Sequence, residues 1–169
     1  MEHENKTLPN DKKTLLDTGG YEMHNRALSR KVFPRIIRES NEVNSDKRNK
    51  PQIRDVVAFY YLLLDHVSGE HTHKDGNPND RFGACWLSYS SITELLQINR
   101  GRVKSLADIL EANGLITREK VARDMRQTVL YYPSYASRVS EDGYIVNEDG
   151  EKVVPDPKIY KPKPRKKVR

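Results

Sequence analysis

Three sets of cations in this chain have the types and spacing to hold nucleic acid. Asn99-Arg100-Gly101-Arg102-Val103-Lys104-Ser105 places two guanidiniums, an ammonium and two short polar side chains within two helical turns, with a glycine leaving room for a partner's backbone. Arginine reads guanine O6 and N7 in pairs, while lysine and serine suit phosphates and base edges. A second set, Arg118, Lys120, Arg123 and Arg126, falls in one short basic stretch. The third, Lys161, Lys163, Arg165, Lys166 and Lys167, is spaced by prolines near the C-terminus. No nucleophile triad, phosphate-cradling glycine loop or paired-carboxylate pattern accompanies them, so the expectation is a non-enzymatic binder without a cofactor. His71, His73 and Asp75 are metal-ligand types, but the surrounding Gly76, Asn77, Pro78 and Asn79 mark a solvent-facing loop.

The elements that must position these side chains can be read from residues 86–133. Ser88 or Ser90 caps a first helix whose Ile92, Leu95 and Leu96 recur at helical spacing, and that helix ends near Gln97. Asn99 caps a second, with Val103, Leu106, Ala107, Ile109 and Leu110 as its apolar stripe. Asn113-Gly114 closes it through a left-handed residue. Leu115–Thr117 and Gln127–Tyr132 then suit antiparallel strands around a basic hairpin tip, residues 118–126. Helix, turn, helix and cationic hairpin in this order describe a winged helix-turn-helix, in which a helix enters the major groove and the hairpin reaches phosphates or the minor groove. The fold class expected is therefore mainly α with a small β-wing, with an N-terminal accessory helix and a C-terminal hairpin and tail.

Composition narrows the classes further. The 169 residues carry a net charge of +6, which favours an anionic partner. No apolar run approaches the roughly 18 residues of a membrane span, and the amino end lacks an apolar signal core, so an intracellular, cytoplasmic protein is expected. Cys85 is the one cysteine, which removes intrachain disulfides and cysteine-based zinc sites; between Ala84 and Trp86 it reads as a small buried hydrophobe.

Along the chain, residues 1–19 are polar and read as a disordered leader, and residues 20–133 as the DNA-binding domain. Val32, Phe33, Ile36 and Ile37 form a short amphipathic helix at Pro34, either an accessory layer or an arm exchanged between subunits. Residues 40–50 read as a polar loop. Pro51 opens a helix carrying Ile53, Val56, Val57, Phe59, Tyr60, Leu62, Leu63, Leu64 and Val67, apolar over more than one face, hence central and also suited to a dimer interface. Residues 134–157 contain a hairpin in which 144–146 and 152–154 flank Asn-Glu-Asp-Gly, and such a hairpin either docks on the domain or orders on a partner. Residues 158–169 read as an extended basic tail that adds salt-sensitive, sequence-blind affinity.

The central AFYYLLLDH, the long loop before Trp86, SYSSITELLQINRGRV and the LEANGLI that precedes the hairpin together resemble the winged-helix domain at the amino end of Gram-positive plasmid and phage replication initiators and replisome organisers. The resemblance covers about residues 21–133. LEANGLI also occurs in MarR-like and GntR-like regulators. It implies DNA contact by Arg100, Arg102, Lys104 and Ser105 in the recognition helix, and by Arg118, Lys120, Arg123 and Arg126 in the wing. The chain departs from the pattern in carrying Arg-Gly-Arg where small polar residues are commoner, which favours guanine, and in following the wing with only a hairpin and basic tail. The function expected is sequence-specific binding of double-stranded DNA by a homodimer, in transcription regulation or replication initiation of a plasmid, phage or other mobile element. A protein-interaction adaptor on the same scaffold, holding a partner through the C-terminal segment, is the alternative.

Overall fold

The computed structural model describes residues 22–123, 126–135 and 138–162. They form an α+β structure with four α-helices, α1 (Phe33–Val43), α2 (Asp55–Asp65), α3 (Tyr89–Leu96) and α4 (Arg100–Ala112). A two-stranded antiparallel sheet follows, β1 (Ile116–Arg123) with β2 (Arg126–Pro133), then a short pair, β3 (Arg138–Val139) with β4 (Ile145–Val146). The leader, residues 1–19, lies outside the described residues.

α2 is the centre, as its apolar girth requires. Val56, Phe59, Tyr60, Leu63 and Leu64 are buried, and Val57, Tyr61 and Leu62 pack on the same core. Those faces are covered from within the chain by α4, β2 and the N-terminal helix. That N-terminal layer belongs to the core itself: Leu28, Val32, Phe33 and Ile36 are all buried. A π-turn at Leu28–Val32 leads into α1, with Pro34 just after the junction and the Phe33 N–H bonded to Leu28 O. Proline has no N–H to give the ladder, and a wider turn relieves the missing bond.

The ladder of β1 and β2 runs from Ile116 opposite Pro133 to Arg123 opposite Arg126. The segment expected to be a hairpin tip is therefore mostly paired strand, and Arg118 and Lys120 lie within the ladder. Cys85 extends the sheet on the far side of β2, donating to Tyr131 O at 2.7 Å and accepting from Tyr131 N at 2.9 Å. It also bridges to Val67, so the strand entering α3 ties α2 to the sheet. Burial is complete at Cys85, and it pushes the thiol up.

The C-terminal segment is packed on the domain more tightly than its composition implied. Val146 bridges Lys152, and Val153 N donates to Ile145 O at 2.8 Å, which gives the expected hairpin. β3 adds a second partner for β4. Residues expected to be tail instead make a 3₁₀ turn, Pro157–Tyr160, started by Asp156 capping Lys158 N. Tyr160 is 3 % exposed and belongs to the core. Its hydroxyl donates to Glu39 at 2.9 Å and reaches Asn113 Oδ1 at 3.3 Å.

Arg35 organises that junction. It is 1 % exposed and donates to Glu39 at 2.7 Å, to Asn113 Oδ1 at 2.7 Å and to the Gly143 carbonyl at 2.9 Å, with its guanidinium 4.1 Å from the Tyr144 ring centroid. A buried cation is tolerable when each guanidinium nitrogen finds an acceptor, and here α1, the end of α4 and the C-terminal hairpin supply one apiece. Asn44 is fully buried and bonds Ser40 O and Tyr160 O, so the polar loop expected from residue 40 begins only after α1 ends at Val43.

Candidate nucleic-acid interface

Local chemistry sets where α3 and α4 begin and end. Ser88 Oγ accepts from Ser91 N at 3.0 Å and starts α3, and Asn99 Oδ1 accepts from Arg102 N at 3.1 Å and starts α4. Between them Gln97 turns the chain at φ 53°, and Gly114 does the same after α4 at φ 72°. Ile92 is buried and Leu96 half-buried, but Leu95, expected on the buried face, lies outside and is exposed. In α4 the stripe of Val103, Leu106, Ala107, Ile109 and Leu110 is buried as its spacing requires.

The cations of α4 separate by helical position. Asn99, Arg100, Gly101 and Lys104 are exposed, and Ser105 is half-buried beside them. Arg100 and Lys104, four residues apart, share a face. Arg102 comes round toward α2, where its guanidinium is ion-paired with Asp55 and donates to Gln52 O at 2.6 Å. Among the described residues Arg100 and Lys104 make no ion pair.

The sheet divides its cations in the same way. Arg118 Nε donates to Glu111 at 3.0 Å and Nη2 to Asp108 at 2.8 Å, with a second bond to Glu111. Burial alone would lower its pKa, but the two carboxylates outweigh burial and hold the guanidinium above its ordinary value. Lys120, two residues along the strand, is exposed, as is Lys161 after the 3₁₀ turn. The side chains of Arg123 and Arg126 lie outside the described residues, as do Lys163, Arg165, Lys166 and Lys167.

Two clefts flank the N-terminal half of α4. One, of about 360 Å³, runs past Gln52, Gly101, Lys104 and Ser105 and is closed by Pro162. The other, of about 680 Å³, lies between the sheet and the start of α3. Trp86 and Tyr89 line it, with the Arg81 guanidinium 4.5 Å from the Trp86 ring and that of Arg100 5.6 Å from the Tyr89 ring. Sequence reasoning did not single out Arg81, Trp86 or Tyr89 as the lining of this second cleft, which lies apart from the exposed face of Lys104. Trp86 is 52 % exposed, and the strand spacing around it gives no indication of that.

In the histidine loop, His71 stacks on Phe82 with ring centroids 3.7 Å apart, and Asp75 accepts from Asn77 N and Nδ2. Among the described residues no three His, Cys, Asp or Glu side chains gather where they could hold a metal, and no helix is long and apolar enough to cross a membrane.

No protein-family model matches the chain, and neither a curated protein nor a solved structure matches it.

Proposed function

We propose that this chain is a non-enzymatic, sequence-specific double-stranded DNA-binding protein of winged helix-turn-helix type. α4 serves as the recognition helix, β1 and β2 as the wing, and the chain beyond Pro162 as a phosphate-binding extension. The observation that carries the reading is the pair Arg100 and Lys104: exposed, one turn apart and without a carboxylate partner among the described residues, at the N-terminal end of a capped helix. The N-terminal residues of such a helix are the ones that reach base edges in the major groove. Cys85, β1 and β2 set a basic hairpin beside it, with Lys120 exposed. Arg102 and Arg118 are drawn in this account onto the chain's own carboxylates, Asp55 for the first and Asp108 and Glu111 for the second.

The resemblance of residues 21–133 to replication initiators and replisome organisers supports a role in transcription regulation or replication initiation of a mobile element. Selection of bound fragments from random duplex DNA, followed by footprinting, tests the reading. A recovered motif, protected over one or two half-sites, is the expected result. Recovery of no common sequence, with binding that only tracks net charge, would remove the claim of specificity.

A further inference from the structure

We propose that the cleft between the sheet and the start of α3 is a second nucleic-acid site, one that takes an unstacked nucleotide of a single strand. The inference rests on the DNA-binding reading for Arg100 and stands apart from it in Trp86 and Arg81.

Three observations converge on this occupant. The first is aromatic surface left open. Trp86 is 52 % exposed even with the Arg81 guanidinium 4.5 Å from its ring, and Tyr89 lies along the same wall. Large aromatics are normally buried for their area, and an open indole flanked by a guanidinium is the platform on which any base can stack, because every base has a π-face.

The second is charge. Among the described residues the cleft is lined by Arg81 and Arg100 and by no acidic side chain. The contrast with the neighbouring arginines is direct, since Arg102 is paired with Asp55, and Arg118 with Asp108 and Glu111. Among the described residues Arg81 and Arg100 make no ion pair, so positive charge gathers at this cleft, where the backbone of a strand would supply anions.

The third is the polar edge and the size. Ser88, Ser90 and Ser91 line the opening at the N-terminal end of α3, whose first amides and dipole favour a phosphate. About 680 Å³ is the volume of an ordinary small-ligand pocket, enough for a base with its sugar and phosphate. The apolar floor from Val121, Val129 and Leu130 suits the base and not a hydrated ion.

In a duplex the bases are stacked and paired, so they cannot enter. The site therefore selects single strands, or duplex that has been opened, and gives this chain a way to hold one strand next to the helix that recognises the intact double helix.

The single tryptophan makes the test specific, because all indole emission comes from this cleft. The full-length protein is titrated with a thymidine oligonucleotide of about a dozen residues, with thymidine monophosphate, and with a blunt-ended duplex of matching length. The expected result is saturable quenching of Trp86 emission by the single strand, much weaker quenching by the mononucleotide, and none at the same concentration from the blunt duplex. Trp86→Leu and Arg81→Gln should each weaken single-strand binding about tenfold by anisotropy, the loss typical of one base–aromatic stack. Both should leave affinity for the selected duplex within about twofold, which also shows that they fold. Unchanged single-strand affinity in both variants, or no quenching at saturation, overturns the proposal. Intact single-strand binding without any duplex specificity would instead sink the recognition-helix reading and leave the cleft standing.

Discussion

Arg102, near the start of α4, is ion-paired with Asp55, the first residue of α2. A residue that helical spacing offers as a DNA contact is thereby drawn onto the protein's own framework. The pair is a quarter to a third exposed, 27 % for Arg102 and 30 % for Asp55, so solvent screens it. Arg102→Ala should cost about 1 kcal/mol of stability, most of it from the Gln52 carbonyl bond, and should weaken DNA binding less than Arg100→Ala does. Asp55→Asn should strengthen binding to all DNA, because it removes an anion and frees a guanidinium. Denaturant midpoints and anisotropy on the two variants check this, and weaker binding by Asp55→Asn would show that the pair positions α4 more than it withholds charge.

The C-terminal segment should behave as part of the folding unit. Tyr160→Ala should destabilise by about 3–5 kcal/mol, and Tyr160→Phe by about 1 kcal/mol through loss of the Glu39 and Asn113 bonds. Gly143 has φ 88°, and a Cβ there would stand 2.7 Å from the Lys31 carbonyl oxygen, so Gly143→Ala should also be destabilising. Thermal melts would show one cooperative transition lowered in each variant. A separate early transition that leaves the main one unmoved would mean that the segment folds on its own.

Truncation separates the tail's charge from this packing. Ending the chain after Pro162 removes the last seven residues, five of them Lys or Arg, and leaves Tyr160 in place. The expected outcome is lower affinity for specific and random duplex alike, a shallower dependence on salt and an unchanged melting temperature. Loss confined to one sequence would assign the tail a reading role instead.

Alkaline pH should unfold the protein through its tyrosines. Burial pushes the Tyr160 phenol up from 10.0 to about 12, and raises Tyr60 and Tyr131 for the same reason. In the unfolded chain these groups ionise near pH 10, so the stability they contribute is complete below that and is lost as pH climbs toward about 12. Tyrosinate absorbance should show late-titrating phenols whose ionisation coincides with loss of the far-ultraviolet dichroism signal. Titration of all nine tyrosines near pH 10 with the dichroism signal intact would contradict their burial.

What the sequence discloses is the local part. Ser88, Asn99 and Gly114 announce helix starts and stops through capping chemistry that needs no tertiary partner, and the stripe of α4 follows from spacing alone. What it conceals is which charges meet. Arg118 looks like a hairpin cation until the ladder brings it against Asp108 and Glu111, ten and seven residues away. Arg35 does sit at the spacing of Leu28 and Val32, a hint of the apolar face, but its acceptors come from Asn113 and Gly143. Tyr160 is hidden by its company, since prolines and lysines around it describe an extended tail while one aromatic ring is enough to anchor the segment.

The central claim is that Arg100 and Lys104 read duplex DNA from the exposed face of α4. Anisotropy on the selected duplex and on a scrambled one, over a range of salt concentrations, tests it with Arg100→Ala and Lys104→Ala. The account predicts that Arg100→Ala loses about 1–3 kcal/mol on the selected duplex and little on the scrambled one, while Lys104→Ala reduces the salt slope. Equal affinities of the two variants and the parent protein for the selected duplex would contradict it.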